Sequence, residues 1–234
     1  MKDNCILLTL PAPAVPALEP ALVENFGSDR AVTVYTEMAK QVFALARRQP
    51  DADVVICYWR DSRHPDLRWL DADDPGFLVP RDQTFIESFI KSVRWCFEAG
   101  AKRVVCVSAQ SPGMADEWIA KAFEMLAERD LVLGPTRDGG WYLLGFNGIK
   151  ADMFKDYPWT GENKGVMIGK RAKSAGQTIY TLPEFYSVID VDTLEEWLAK
   201  TDTVLKHNGA AVNTKKDFPA KPSGSPGPDI PPAA

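Results

Sequence analysis

The sequence is poor in the residues that most often announce a chemistry. It has only two histidines, His64 and His207, far apart in the chain. A histidine metal cluster and a Ser-His-Asp hydrolase are therefore both undersupplied, and the GxSxG turn of such a hydrolase is missing too. The four cysteines, Cys5, Cys57, Cys96 and Cys106, form no CxxC or CxxxC pair, which argues against a disulfide framework and a structural zinc site. Neither GxGxxG nor GxxxxGK occurs, so a dinucleotide-binding dehydrogenase and a P-loop enzyme lack their phosphate cradles. Long apolar runs are also absent. The opening run 5–10 is cut by Pro11, Pro13 and Pro16, too short for a membrane span and unlike a signal peptide in layout. Positive charge is scarce, with 27 Lys and Arg against 32 Asp and Glu for a formal charge of −5, which disfavours a nucleic-acid groove. The expectation is a soluble, cytoplasmic protein with no nucleic-acid partner and no membrane span.

What is present suits a globular domain: 234 residues, 45% of them apolar, enough for a sizeable core. Apolar runs at 6–8, 53–59, 103–108, 130–134 and 141–146 read as buried strands. Between them, helices are expected at 29–48, 84–99 and 114–129. In the first of these Val34, Met38, Val42 and Leu45 recur at helical spacing. Gly100 suits a left-handed cap after the second. Strands alternating with helices predict a three-layer α/β/α sandwich on a mainly parallel mixed sheet. The interval between 130–134 and 141–146 is too short for a helix, so one antiparallel strand is expected there. Residues 60–82 read as a long polar loop. Beyond them come a helix at 161–175, a strand at 178–182 and a helix at 193–206. The main domain is expected to run over 1–208, and 209–234 reads as a Pro/Gly-rich tail with little to bury.

Ligands of parallel sheets sit beyond the carboxyl ends of the strands, which directs attention to a few loops. In GPTRDGGWYLLGF, Asp138 precedes Gly139 and Gly140, whose bare backbones let a ligand approach. The same three residues also read as a plain turn into the next strand. In IDVDT, Asp190 and Asp192 would face one way along an extended segment and could hold Mg²⁺ or Mn²⁺. Either could instead cap the following helix, Asp192 the better placed, with Glu195 completing the box. The segment SAQSPGM (108–114) offers free N–H groups for a phosphate at a helix start. Trp69, Trp141 and Trp159 read as loop residues able to stack on a base or sugar. Trp95, Trp118 and Trp197 fall at helical positions and read as core, as do Cys57 and Cys106 in their strands. The acidic run 71–74 reads as solvated surface.

With these motifs in view, the chain resembles the DUF2064 group of provisionally assigned glycosyltransferases, whose fold is that of the nucleotide-diphospho-sugar transferases. DLVLGPTRDGGWYLLGF matches that family's D-x-V-x-GP-x-x-DGGYY-L-x-G, with Trp141 for a tyrosine. Pro158-Trp159-Thr160 and Asp190-Val191-Asp192-Thr193 match its later elements. The likeness covers about residues 5–205. It implies a nucleotide or nucleotide-sugar donor, with Mg²⁺ or Mn²⁺ as cofactor. It also implies ligand contacts at Pro16, Gln110, Pro135, Gly139, Gly140 and Trp141, catalytic roles for Asp138 and Asp190, and metal contacts at Asp190 and Asp192.

Departures from the pattern fall at ligand-facing motifs. In APAVPALEPALV, Ala12 stands for a lysine and Ala17 for a glycine, while Pro20, Ala21 and Leu22 stand for Lys, Thr and Arg. Only Val15 and Pro16 survive. Gln110 stands for an aspartate that the resemblance makes a metal ligand, and 85–89 departs from LG-x-RM. Each missing cation removes a charge-assisted phosphate contact. Two functions are therefore expected: transfer from a nucleotide-activated donor, weakened or altered, or a catalytically inactive transferase fold serving as a ligand-binding or scaffold protein.

Overall fold

Strand β1 (Asn4–Pro11) is apolar at both parities because both of its faces are covered. Ile6, Leu8 and Leu10 pack with Ala39, Val42 and Phe43. Cys5 and Leu7, pointing the other way, pack with Phe89, Val93 and Cys96. Such two-sided burial is the reason a strand loses its polar alternation. The structure is a computed structural model, and it describes residues 1–80, 84–154, 164–201, 205–207 and 210–212.

Around β1 lie β2 (Ala52–Trp59), β3 (Phe77–Leu78), β4 (Arg103–Ser108), β5 (Leu131–Pro135), β6 (Trp141–Phe146) and β7 (Ile179–Thr181), in the spatial order β3-β2-β1-β4-β6-β5-β7. Strands β1 to β4 pair in parallel and β5 pairs in parallel with β7. Strand β6 runs antiparallel to both β4 and β5. The single reversed strand is thus where the short 130–146 interval predicts it. Helices α2 (Ser28–Arg47) and α4 (Asp116–Met125) cover one face of the sheet, and α3 (Phe85–Glu98) and α5 (Lys164–Ser174) the other. The expected three-layer sandwich on a mixed sheet is the architecture found. A third apolar cluster joins α1 (Pro20–Phe26), the first half of α2 and α6 (Val191–Thr201) through Leu22, Phe26, Val34, Leu194 and Trp197. A separate antiparallel pair is formed by β8 (Leu205–His207) and β9 (Ala210–Val212).

Local chemistry sets the element ends. Thr84 caps α3 by accepting from the Glu87 N–H at 3.3 Å, and its hydroxyl donates to the Glu87 carboxylate at 2.9 Å, a reciprocal capping box. Gly100 follows α3 at φ 108°. All four predicted stripe residues of α2 are buried. The four cysteines are free and buried on the α3 face.

Several expectations need correction. The loop 60–82 contributes the two-residue edge strand β3, and the Pro-rich run after β1 ends in helix α1, with Pro20 at its first turn, where a missing N–H costs nothing. Helix α4 is shorter than 114–129. The last helix stops at Thr201, and residues 205–207 form a strand rather than helix. Trp95 is 40% exposed, not core, whereas Trp197 is fully buried. Residues 158–160, 161–163 and the tail beyond 212 lie outside the described residues. Among the described residues no helix is long and apolar enough to cross a membrane.

The chain leaves β1 toward β2 on one side and reaches β4 on the other. This divergence opens a crevice over the carboxyl ends of β1 and β4.

Candidate functional site

A cavity of about 370 Å³ occupies that crevice, within the range of ~300–1,000 Å³ usual for small-molecule sites. Its floor is Thr9 and Pro11 at the end of β1 and Ser108, Ala109 and Gln110 after β4. Because β6 runs in reverse, its first residue, Trp141, reaches the same edge, with Gly140 and Asp138 just before it. Ala17, Tyr35, Phe85 and Ser187 close the remaining sides.

The Asp-Gly-Gly corner is a built turn. The Gly139 N–H donates to the Thr136 carbonyl at 2.8 Å and the Thr136 N–H to the Gly140 carbonyl at 3.2 Å. Gly139 has φ 81°, a conformation open to glycine at little cost. The pattern is a three-residue hairpin loop with a glycine bulge. A β-carbon on Gly140 would lie 2.8 Å from the Thr136 hydroxyl and 3.1 Å from Asp138 Oδ2, so glycine there lets both side chains close in. The turn and the ligand-facing readings are therefore compatible: the turn is what sets Asp138 on the rim.

Charge then pins the corner from outside. Arg137 donates to both Glu196 oxygens on α6, at 2.9 and 2.8 Å, and lies over the Tyr186 ring at 5.2 Å. Lys200 also donates to Glu196, at 2.5 Å. With two cations beside it, the Glu196 carboxyl is held down at about 2. The Arg137 N–H bonds the Phe185 carbonyl at 3.0 Å, and Gly165 of α5 donates to the Gly139 carbonyl at 2.7 Å. Asp138 itself has no hydrogen-bond or ion-pair partner among the described residues.

The opposite wall is apolar. After β1 the chain makes a short 3-10 turn, Val15–Ala17, with Ala12, Ala14 and Leu18 buried. The Tyr35 hydroxyl donates to the Pro11 carbonyl at 2.8 Å, and burial, with Tyr58 nearby, raises its pKa far enough to keep it neutral. Phe85 stacks on Trp59 with ring centres 5.4 Å apart and on Phe89 at 6.0 Å. The loop after β4 is tied down as well. Gln110 Nε2 donates to Glu19, and the Gln110 carbonyl accepts the Val188 N–H at 2.7 Å. A phosphate at the start of α4 is a poor fit, since its first turn carries Asp116 and Glu117 and Asp116 binds Arg48 at 2.8 and 2.7 Å.

Of the residues singled out in the sequence, Asp138, Gly140, Trp141 and Gln110 line the cavity. Pro135 and Gly139 shape its corner, the Pro135 carbonyl accepting the Phe185 N–H at 3.0 Å. Pro16 is exposed in the 3-10 turn, and its neighbour Ala17 faces the cavity instead. Asp190 and Asp192 do not line it. Helix α6 begins between them, so the extended geometry that would have aligned them is absent. The cap is Asp190, not Asp192: its Oδ1 accepts from the Thr193 N–H at 2.9 Å and hydroxyl at 2.6 Å. The donor set is a poor match to a divalent cation. Gln110 brings no charge and Asp190 is committed to its helix, and the described residues hold no group of three or more metal-ligating side chains. Phe85 opens the segment 85–89, which departs from the resembled pattern, whereas Thr9, Tyr35 and Ser187 went unmarked as site residues. Only Thr9, a polar residue interrupting the apolar run before Pro11, carried a local signal.

Comparison with known proteins agrees with this fold. The profile of DUF2064, described as an uncharacterized protein conserved in bacteria, matches residues 42–161. The fold is similar to that of a provisionally assigned nucleotide-diphospho-sugar transferase from Desulfovibrio desulfuricans G20, with TM-score 0.77 and 25% identity over 86% of this chain and 90% of that one. It is similar also to the 4-diphosphocytidyl-2C-methyl-D-erythritol synthase of Anaerococcus prevotii DSM 20548, with TM-score 0.58 and 11% identity over 86% and 97% of the two chains. A CMP:2-keto-3-deoxy-manno-octonic acid synthetase complexed with CTP aligns at TM-score 0.54 and 12% identity over 84% and 97%. At those lower identities the likeness is one of fold. No functionally curated protein matches the chain.

Proposed function

The chain belongs to the DUF2064 family, and we propose that it transfers a nucleotidyl or glycosyl group from a nucleotide-activated donor bound in the strand-end cavity. In the first case an acceptor attacks the α-phosphorus and pyrophosphate departs. In the second it attacks the anomeric carbon and the nucleoside diphosphate departs. The observation that carries the reading is the place of the cavity: it opens where the sheet order diverges, beneath an Asp-Gly-Gly corner, in a fold similar to that of a provisionally assigned nucleotide-diphospho-sugar transferase. Catalysis would come mainly from positioning, because two opposed walls fix the ligand relative to Asp138.

One observation favours a second reading, a binding protein without turnover. Leu22, which stands where the resembled pattern has a cation, is 2% exposed and packed inside the third apolar cluster. That position now belongs to the core and offers no charge to a phosphate.

Titration of the full chain with nucleoside triphosphates and nucleotide sugars, with and without Mg²⁺ or Mn²⁺, tests the proposal. Micromolar binding that falls at least tenfold in Asp138→Asn, with unchanged Tm, is expected. Absence of binding across the panel rejects it. Binding without release of pyrophosphate or nucleoside diphosphate in the presence of acceptors selects the second reading.

A further inference from the structure

Among the described residues that line the cavity, Asp138 is the one charged side chain, and the neutral polar side chains around it each have an acceptor oxygen. Asp138 supplies a carboxylate with no partner among the described residues. One N–H of the Gln110 amide is given to Glu19, and its side-chain carbonyl oxygen remains for the cavity. Ser187 and Thr9 are 6% and 9% exposed and line the cavity, and neither hydroxyl has a partner among the described residues. Two aromatic side chains, Phe85 and Trp141, complete the lining. The corner's own cation does not neutralise Asp138, because Arg137 is turned to Glu196 and Tyr186.

This set complements a particular kind of ligand group. Asp138 is exposed on the rim, and covering its unpaired carboxylate with a ligand is costly unless the ligand brings a counter-charge. An ammonium group brings three donors and one positive charge. We propose that the cavity takes a ring bearing a protonated amine, of the amino-sugar class, with its ammonium on Asp138 and its remaining donors shared among Gln110, Ser187 and Thr9. The inference rests on the same cavity being the ligand site proposed above, and it adds the charge of the group presented to the corner.

The test uses one ring in three charge states: glucosamine, glucose and glucuronate, each free and as its UDP conjugate. Binding to the full chain is followed by calorimetry and ligand-observed NMR at pH 6.5. The amine form is expected to bind at least tenfold tighter than the neutral form in at least one series. Asp138→Asn is expected to erase that preference without lowering Tm. Equal binding of all three charges, tighter binding of glucuronate, a preference that survives in Asp138→Asn, or no binding in either series overturns the inference. If the UDP conjugates bind without regard to charge, the donor reading stands and the amine assignment alone fails. If free glucosamine binds through Asp138 while no nucleotide does, the amine assignment stands and the donor reading fails.

Discussion

The segment after β1 and the corner before β6 wall the same cavity, yet one is held by apolar burial and the other by charge and glycine. In the first, Ala12, Ala14 and Leu18 are nearly inaccessible and no side-chain cap holds the 3-10 turn. In the second, Arg137, Glu196 and Lys200 clamp an exposed turn from outside, and Gly140 and Gly165 allow backbones and side chains to meet closely. The difference shows where the departures from the transferase pattern went. Two positions that would have offered cations to a phosphate, Ala12 and Leu22, were absorbed into packing, and at the third Pro20 is exposed without a charge, whereas the corner kept a polar, ligand-facing form. Changes in the first wall should therefore act mainly on folding, and changes in the second should also reach the ligand.

Substituting Gly165→Ala should have the largest effect, because its new methyl would lie 2.1 Å from the Gly140 carbonyl oxygen. Either α5 or the corner must move, at a cost of about 3 kcal/mol, and ligand affinity should fall with it. A wild-type Tm and unchanged binding would show that the contact does not hold the corner. Next comes Ala12→Lys, which restores a family cation at a site only 4% exposed. Burying the lysine stem and charge should destabilise by about 2 kcal/mol in denaturant unfolding. An unaltered midpoint together with tighter triphosphate binding would mean that the first wall is still a phosphate loop and that the contrast is false.

The smallest effect is that of Glu196→Gln. The Glu196 carboxyl sits at about 2, below its ordinary 4.5, because Arg137 and Lys200 stabilise its charged form. A depressed carboxyl contributes stability that is complete above the unfolded value and is lost as pH falls through the folded one. The wild type should thus exceed the variant in Tm at pH 7, by a small margin since these groups are solvated. That margin should vanish between pH 4.5 and 2. A constant margin across that window would deny the clamp its electrostatic origin.

Much of the fold was legible because each central strand is a continuous apolar run, a pattern that two-sided burial imposes on its own. Strand β3 was not, since two residues carry no period, and α1 was hidden by a Pro-rich run whose last proline opens a helix. The boundary after α6 was lost because the apolar spacing of 193–206 runs on into residues 205–207, which form a strand. At the site, the Asp-Gly-Gly corner could be read locally, as turn residues can. The Arg137–Glu196 pair could not, because its partners lie 59 residues apart. The choice between Asp190 and Asp192 as cap turned on one residue of helix start, a margin that spacing alone does not resolve.

The hydrogen bond from Gly165 to Gly139 gives helix α5 a built-in gauge of the corner. Anything that tugs on Asp138 strains a bond of 2.7 Å whose donor lies at the beginning of that helix. The Gly165 amide resonance should therefore register occupancy of the cavity at a distance from the bound molecule, and a single ¹⁵N-labelled glycine would make an untagged protein its own sensor for unknown ligands.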